Sequence, residues 1–368
     1  MKHLLILVAL SCSSLSLAQA DGIYVSDAGG FQNPPWQIVR YDLDGQDPQT
    51  FIADSLNWPQ DILFLEDSNV VLISNLGSGQ INRHDATTGA FLSHFATGIG
   101  GPTRMRIGPD SALYVLQWTG NGRVRRYALD GSYLGEFTSV TVPQSIGLDW
   151  DNAGNLYVSS YTQDHVRRFD PQGNDLGLFI TTNLAGPTNV WSDTDSTLMV
   201  ADYDGNAVKR FDLNGNYLGV FIGGLGKTEG YAYFPDGSLL LGNGITHSVK
   251  RFDVNGAFLG DIVPNGSGGL QNPNAIVVRG TPMTAIPERG TSHHPLTVKP
   301  TVGRHFEIAT THRAGLVGLE VRSVDGVRVV ELEGMVWEAD TVAPGTYLIV
   351  GHWNDGALTS RRVLVSDR

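Results

Sequence analysis

The stretch Val166-Arg167-Arg168-Phe169-Asp170 contains a motif of the form apolar-x-Arg-aromatic, which decides the fold because it recurs along the chain. The copies read IVRY (38–41), INRH (81–84), VRRY (124–127), VRRF (166–169), VKRF (208–211) and VKRF (249–252). Successive motif arginines are 43, 43, 42, 42 and 41 residues apart. A nearly constant period of this length predicts a repeat architecture.

Each repeat contains four strand-like runs separated by turn residues. The fourth repeat shows them most clearly, at 145–150, 156–161, 165–170 and 176–181. Pairs such as Asp44-Gly45 and Asn214-Gly215 occupy the third turn, where glycine readily adopts a positive φ. No segment keeps an apolar period of 3.6, so the runs predict antiparallel four-stranded sheets and exclude a parallel α/β fold.

Both faces of each predicted sheet carry large apolar side chains. In the motif, Val166 and Phe169 are three positions apart, so strand alternation places them on opposite faces. Sheets stacked radially around an axis bury both faces between neighbouring sheets. The sequence therefore predicts an all-β chain whose residues 21–280 form a six-bladed β-propeller.

The ends of the repeat region predict how the ring closes. Residues 22–27 match the second strand of a repeat, so the first repeat lacks its innermost strand. Residues 271–278, QNPNAIVV, follow the sixth repeat and match a first strand with its leading proline. We expect this segment to complete the first blade and leave no exposed sheet edge.

The repeats resemble NHL repeats over about residues 21–280. The residues that carry the resemblance are Asn155-Leu156-Tyr157-Val158, Val166 to Asp170 with Gly173, and the openings Gly186-Pro187-Thr188 and Val142-Pro143-Gln144. The resemblance implies a binding scaffold more often than an enzyme. Related six-bladed propellers nevertheless include gluconolactonase-like hydrolases, virginiamycin B lyase and the peptide-amidating lyase.

A second domain follows a linker. Residues 281–295 are rich in Pro, Thr, Ser and Gly, and residues 296–368 alternate short β-rich runs with turns, which predicts a small β-sandwich. The runs 296–300, 321–327 and 342–350 resemble the C-terminal sorting domain of the type IX secretion system. The usual Pro-Asn-Pro is replaced by Lys299-Pro300-Thr301, and the tail lacks a lysine-led strand. The alternative is a generic accessory sandwich.

The N-terminal residues 1–20 predict a secretory signal peptide, with a basic start, an apolar run and an Ala18-Gln19-Ala20 cleavage site. Acylation of Cys12, the single cysteine, is the alternative. No apolar run is long enough for a transmembrane segment. Without Lys2 the chain carries 24 basic and 37 acidic residues, a balance of −13, which argues against nucleic acid as a partner. We therefore expect a secreted or cell-surface protein exported through the periplasm.

Residues that depart from the repeat are where a particular function enters, whereas residues shared by every repeat serve the scaffold. The six motif arginines are accordingly expected to form hydrogen bonds between blades. In a meander, the entries of the inner strands and the loops between second and third strands share one face, and Phe31 and Tyr203 lie in such loops. The predicted binding residues on this channel face are Trp36, Trp58, Gln60, Arg104, Trp118 and Gln144.

Two functions follow from this face. The first is a secreted binding module for an extracellular glycan, peptide or protein, with the terminal domain engaging the secretion machinery. The alternative is a gluconolactonase-like hydrolase or lyase that uses Ca²⁺ or another divalent metal in the channel, with Asp61, Asn189 and Glu229 as oxygen ligands. A purely structural surface protein is a third reading. Arg104 would either orient an anionic group or neutralise these carboxylates.

Overall fold

A computed structural model of the chain describes residues 21–151, 153–193, 197–234, 236–280, 296–299, 302–310, 315–323, 328–343, 345–353 and 358–366. The predicted signal peptide, Cys12, the linker 281–295 and residues 300–301 lie outside the described residues. The chain divides into two compact units, which meet in sequence at Arg279 and Gly280. No described helix is long and apolar enough to cross a membrane.

The first unit is built from four-stranded antiparallel sheets, six of them in the described residues. Blade 1 contains β1 (Gly22–Asp27), β2 (Gln37–Tyr41) and β3 (Gln49–Ile52). Blade 2 contains β4 (Pro59–Leu65), β5 (Val70–Asn75), β6 (Gln80–Asp85) and β7 (Phe91–Ala96). Blade 3 contains β8 (Pro102–Ile107), β9 (Leu113–Gln117), β10 (Arg125–Tyr127) and β11 (Tyr133–Glu136).

The remaining blades follow the same meander. Blade 4 contains β12 (Ser145–Trp150), β13 (Leu156–Ser160), β14 (His165–Phe169) and β15 (Asp175–Ile180). Blade 5 contains β16 (Pro187–Ser192), β17 (Leu198–Asp202), β18 (Ala207–Phe211) and β19 (Tyr217–Ile222). Blade 6 contains β20 (Tyr231–Tyr233), β21 (Leu239–Asn243), β22 (Ser248–Phe252) and β23 (Phe258–Val263). Single 3-10 turns occur at Glu66–Ser68 and Ser267–Gly269.

Ring closure follows the prediction. Strand β24 (Pro273–Arg279) pairs antiparallel with β1, with Val25 opposite Ile276 and Ser26 opposite Ala275. The sheet order β24-β1-β2-β3 makes β24 the innermost strand of blade 1. The two ends of the propeller are thus joined by a backbone ladder.

The motif packs as strand alternation requires. Phe169 lies in an apolar cluster with Tyr114 of blade 3, whereas Val166 lies in a different cluster with Val190 and Val200 of blade 5. Both Phe169 and Val166 are fully buried. The two faces of blade 4 are therefore covered by its two neighbours, which confirms the radial stacking of blades.

The motif arginines act mainly within their own blades, which corrects the prediction of bonds between blades. Arg210 pairs with Asp193 at 3.1 Å, and its guanidinium lies 4.5 Å from the centre of the Phe221 ring in the same blade. Arg83 does reach the next blade, where it donates to the carbonyl of Asp130. These arginines are half-buried rather than fully enclosed. The guanidinium groups of Arg83, Arg168 and Arg210 lie 4.5–4.9 Å from phenylalanine rings of the outer strands. That of Arg251 lies 4.7 Å from Phe234, which follows the inner strand of blade 6.

The second unit is a small β-sandwich. Its strands are β25 (Leu296–Lys299), β26 (Val302–Gly303), β27 (His305–Thr310), β28 (Leu316–Ser323), β29 (Arg328–Leu332), β30 (Val336–Glu338), β31 (Gly345–Trp353) and β32 (Leu358–Val365). Sheet order is β25-β27-β30 in one layer and β26-β32-β31-β28-β29 in the other. Phe306 and Trp337 from the first layer share a core with Val321, Ile349 and Val363 from the second.

Candidate binding site at the channel mouth

One backbone hydrogen bond recurs at the channel mouth of every blade. The residue after the polar end of each second strand donates its N–H to a carbonyl at the entry of the inner strand. The six donor and acceptor pairs are Ala28 with Asn272, Leu76 with Trp58, Trp118 with Gly101, Tyr161 with Gln144, Tyr203 with Gly186 and Gly244 with Lys227. Because the same bond recurs, the residue after the second strand has an equivalent backbone position in every blade.

Polar residues at the ends of the second strands fix the same loops. Asn75 Oδ1 accepts the N–H of Asn57 at 2.8 Å, and Asp202 Oδ1 accepts the N–H of Ala185 at 2.6 Å. In blade 1, Asp27 Oδ1 accepts the N–H of Asn272 at 2.8 Å. A buried side-chain acceptor thus satisfies an N–H of the loop that enters the inner strand. The mouth is preorganised by the scaffold.

The acceptor residues of blades 2 to 6 have left-handed backbones. Gly101 and Gly186 adopt φ of 61° and 64°, which costs glycine little. Trp58, Gln144 and Lys227 adopt φ of 53°, 49° and 56°, which costs a residue with a Cβ about 1 kcal/mol or more. Strain of this kind is concentrated at functional sites. Trp58, Gln144 and Lys227 thus occupy rim positions at which glycine would have a lower conformational cost.

A cavity of about 440 Å³ opens at this mouth. Its walls include aromatic side chains from five blades. These are Phe31, Trp58, Trp118, Tyr161 and Tyr203. The rings of Phe31 and Trp58 are 5.6 Å apart on one side, and Trp118 is 5.6 Å from Tyr161, which is 6.0 Å from Tyr203, on the other. Gln60, Thr188 and Glu229 also line the cavity.

Arg104 lies below this cavity, on the inner strand of blade 3. Its Nη2 forms an ion pair with Glu229 Oε1 at 3.0 Å, and its Nε donates to Asn189 Oδ1 at 3.2 Å. It also donates to the carbonyls of Gln60 and Asn274. The side chains of Arg104 and Glu229 are only 7% and 11% exposed. Arg104 therefore neutralises a carboxylate within the channel and satisfies its own donors there.

Gln60 links this polar layer to the aromatic wall. With its amide oriented to satisfy its neighbours, its oxygen accepts from Trp58 Nε1 at 2.8 Å and its nitrogen donates to Glu229 Oε1 at 3.3 Å. Trp58 is thereby held by both its backbone and its indole N–H. The aromatic wall and the charged layer form one hydrogen-bonded assembly.

A second cavity of about 380 Å³ lies on the other side of Arg104, which lines it together with Asp61, Arg106 and Tyr231. Arg106 of blade 3 donates to the hydroxyl of Tyr231 of blade 6, across the axis of the propeller. Asp61 Oδ2 accepts the N–H of Met105 at 2.7 Å. The Arg104 layer thus separates two cavities of the channel.

The arrangement does not fit a divalent cation at the predicted ligands. Glu229 and Asn189 direct side-chain oxygens at Arg104, so a guanidinium charge already occupies the position between them. The pKa of Asp61 is raised, because the effect of burial exceeds that of the positive charge of Arg104. The pKa of Glu229 is also raised by burial, and Arg104 offsets only part of this effect. The described residues contain no cluster of three acidic, His or Cys side chains suited to a metal.

The structure brings together three of the predicted binding residues, Trp58, Gln60 and Trp118, around the mouth cavity, with Arg104 beneath it. Trp36 and Gln144 do not line this cavity: Trp36 Nε1 donates to the carbonyl of Phe31 at 2.7 Å, and Gln144 holds the loop of Tyr161.

Tyr161 was missed by the sequence analysis. It occupies the same position in its repeat as Trp118 and Tyr203, directly after the second strand. An alignment of the repeats at this position would have identified it.

No family model matches the chain, and no curated protein matches it. Solved structures do resemble it. A chain of a nidogen/laminin complex aligns with a TM-score of 0.58 and 15% identity, over 70% of this chain and 97% of that one. A Bacteroides caccae protein of unknown function aligns at 0.55 and 16%, over 70% and 97%. A structure described as a putative gluconolactonase aligns at 0.52 and 17%, over 70% and 87%.

These identities are too low to transfer an activity, and fold does not determine function. The similarity, the repeated four-stranded sheets and the closing strand agree on the architecture. The first unit of this chain is a β-propeller.

Proposed function

We propose that this chain is a secreted or surface-displayed binding module that holds a glycan, peptide or protein ligand at the aromatic channel mouth without catalysing a reaction. The observation that carries the proposal is the convergence of five aromatic side chains from five blades on one cavity of about 440 Å³. A cavity of this size, with apolar walls and a few placed polar groups, has the properties of a ligand site.

The polar floor supports binding rather than catalysis. Arg104 and Glu229 satisfy each other, and Gln60 bonds to both Glu229 and Trp58. A general acid or base must reach the substrate proton with an available group. Here Glu229 lines the cavity as a carboxylate already paired with Arg104, and the aromatic rings present most of the contact area.

The second unit fits a role in delivery. We propose that this sandwich directs export or surface attachment, as its resemblance to the type IX sorting domain implies. Its core is formed by its own residues, including Phe306 and Trp337. A self-contained domain of this kind can serve the secretion machinery without taking part in ligand binding.

The test is a binding screen of the full chain on glycan and peptide arrays. Trp58→Ala and Trp118→Ala should each weaken the retained ligand by tenfold or more, because each removes a wall of the cavity. Phe258→Ala is the matched control, since Phe258 is 56% exposed on the outer strand of blade 6. A ligand that binds all three variants as it binds the native chain would exclude the mouth as the site.

A further inference from the structure

The two walls of the mouth cavity differ in their polar surroundings. Phe31 and Trp58 form one wall, in which the indole N–H is used by Gln60. Trp118, Tyr161 and Tyr203 form the other, in which the Tyr161 hydroxyl donates to the carboxylate of Asp204. The charge around the second wall indicates which ligands it attracts.

Acidic groups dominate at that wall. The Tyr161 hydroxyl donates to Asp204 Oδ2 at 2.8 Å, and Asp164 Oδ1 accepts the N–H of Gly186 beside it. Burial, followed by Asp204 and Glu229, raises the pKa of Tyr161 to about 12. Burial and Glu229 raise the pKa of Tyr203 in the same direction. The carboxylates of Asp204 and Glu229 thus add to burial in opposing ionisation of both tyrosine hydroxyls.

The chain already places one cation on this wall. Lys227 Nζ lies 4.8 Å from the centre of the Tyr203 ring and pairs with Asp204. The Lys227 backbone is held in a left-handed conformation at the rim, as described above. An ammonium group over an aromatic face beside a carboxylate is a favourable cation–π arrangement. This contact is an internal example of the chemistry that the wall accepts.

The two positive groups at the mouth are both paired. Arg104 is bonded to Glu229, and Lys227 is bonded to Asp204. Asp164 adds a third carboxylate, and the chain as a whole has a formal charge of −12. The aromatic faces add the negative ends of their quadrupoles. The three carboxylates thus exceed the two positive groups by one negative charge, which favours an entering cation over an anion.

We propose that the mouth cavity recognises an organic cation, an ammonium or guanidinium group carried by the ligand, between the aromatic walls and Glu229. This inference rests on the proposed binding function and specifies its ligand chemistry. The cation can be a free amine or the side chain of a lysine or arginine in a peptide. An uncharged sugar would use the same aromatic faces but not the carboxylates.

The first experiment compares choline with 3,3-dimethylbutanol, an uncharged molecule of nearly the same shape. Saturation-transfer NMR and isothermal titration on the full chain should show at least tenfold tighter binding of choline. Raising the salt concentration should weaken choline binding and leave the alcohol unchanged, because screening acts on the charge. Equal binding of both probes would overturn the inference.

Variants then locate the charge. Glu229→Gln and Asp204→Asn should each lower the ratio of choline affinity to dimethylbutanol affinity at least fivefold, because only choline carries the charge that the carboxylates attract. Asp261→Asn, which makes the same change of charge on the outer strand of blade 6, should have no effect. A melting curve of each variant verifies that it is folded. Choline binding that is unaffected in both folded mouth variants would also overturn the inference.

A lysine peptide and its acetylated form distinguish a peptide source from a free amine. If the unmodified peptide binds more tightly than choline and its acetylated form does not bind, the cation is a lysine side chain of a peptide partner. If choline binds more tightly than the peptide, the cation is a free amine. Either result supports cation recognition. Array ligands that need Trp58 and Trp118 but carry no cation would refute this inference and leave the proposed function intact. If neither arrays nor probes depend on these tryptophans, both proposals fail.

Discussion

At single residues, the rim of the channel combines backbone strain with side-chain placement. Trp58, Gln144 and Lys227 adopt left-handed conformations at a position where Gly101 and Gly186 stand in other blades. Trp58 uses the position to line the cavity, and Lys227 uses it to reach Tyr203. Gln144 does not line the cavity, and its backbone carbonyl accepts the N–H of Tyr161. The cost of its strained backbone can therefore be measured without changing the cavity wall.

Gln144→Gly should raise the free energy of unfolding by up to about 1 kcal/mol, because glycine relieves the strain of a positive φ and keeps the carbonyl that accepts from Tyr161. Urea unfolding measures the change. Gln163→Gly, which has no such strain to relieve, is the control and should not stabilise the chain. A loss of stability in Gln144→Gly would show that its side chain has a role of its own.

His84 occupies the aromatic position of the second repeat, where the other repeats carry Tyr or Phe. It is fully buried, its Nδ1 lies 2.9 Å from the carbonyl of Gly89, and its Nε2 has no hydrogen-bond partner among the described residues. Burial lowers the pKa of His84. The folded chain thus binds this proton less readily than the unfolded chain.

His84→Phe should therefore reduce acid sensitivity. Below the ordinary histidine pKa of about 6.5, the unfolded chain gains a proton that the folded chain resists, so stability falls as the pH decreases. The stability advantage of the variant should grow between pH 7 and pH 5, by at most about 1.4 kcal/mol per pH unit. Urea midpoints across this range test it, and parallel curves for the two proteins would contradict the assignment.

At the level of strands, the inner and outer strands of each blade have different roles. Ile276 on the closing strand β24 is 5% exposed and packs with Val25 and Val39 of blade 1 and Leu240 of blade 6. Leu218 on the outer strand β19 is 54% exposed. Closure of the ring thus depends on side-chain packing as well as on the backbone ladder.

Ile276→Ala should lower the free energy of unfolding by about 2–4 kcal/mol, because the substitution leaves a cavity between two blades. Leu218→Ala should change it by less than about 0.5 kcal/mol, as expected for an exposed position. Thermal and urea unfolding measure both. An effect of Ile276→Ala as small as that of Leu218→Ala would mean that side-chain packing of β24 contributes little to closure.

Across the whole molecule, Arg104 connects blades that are distant in sequence. From blade 3 it contacts Gln60 of blade 2, Asn189 of blade 5, Glu229 of blade 6 and Asn274 of the strand that completes blade 1. One side chain thus joins five blades at the axis. It also separates the two cavities of the channel.

Arg104→Met should destabilise the chain by about 3–5 kcal/mol, because it leaves Glu229 buried without its counter-charge. Glu229→Gln in the same chain should restore part of this loss, since the unpaired charge is then removed. A double-mutant cycle in urea measures the coupling. Strict additivity of the two substitutions would show that the ion pair contributes no coupling energy.

Ca²⁺ and Zn²⁺ should not raise the melting temperature of the chelator-treated chain, because Arg104 holds the oxygens of Asn189 and Glu229. Binding at 100 times Kd would add about 2.7 kcal/mol to the free energy of unfolding. Differential scanning calorimetry measures it. A metal-dependent rise that disappears in Asp61→Ala would restore the metal-dependent hydrolase or lyase as the leading function.

The repeat sequence by itself determined the blades, because strand alternation and turn residues act between near neighbours in the chain. Val166 and Phe169 specify opposite faces wherever their sheet is placed. The partial first repeat and residues 271–278 specify closure for a different reason, since the strand that the first repeat lacks is present after the sixth repeat. The predicted bonds of the motif arginines were largely wrong because each repeat also supplies partners within its own blade. The phenylalanines that lie beside the arginines of blades 2 to 5 recur with the same period, at 95, 137, 179 and 221.

Only the tertiary structure decided which side chains meet on the axis. Trp36 and Trp118 look equivalent as tryptophans in loops, yet only Trp118 lines the cavity, together with Tyr161. Arg104 lies 125 residues from Glu229 in the chain and beside it in the channel. The repeat places every blade in the ring, but the contacts across the axis depend on the direction and length of individual side chains that the period leaves unconstrained.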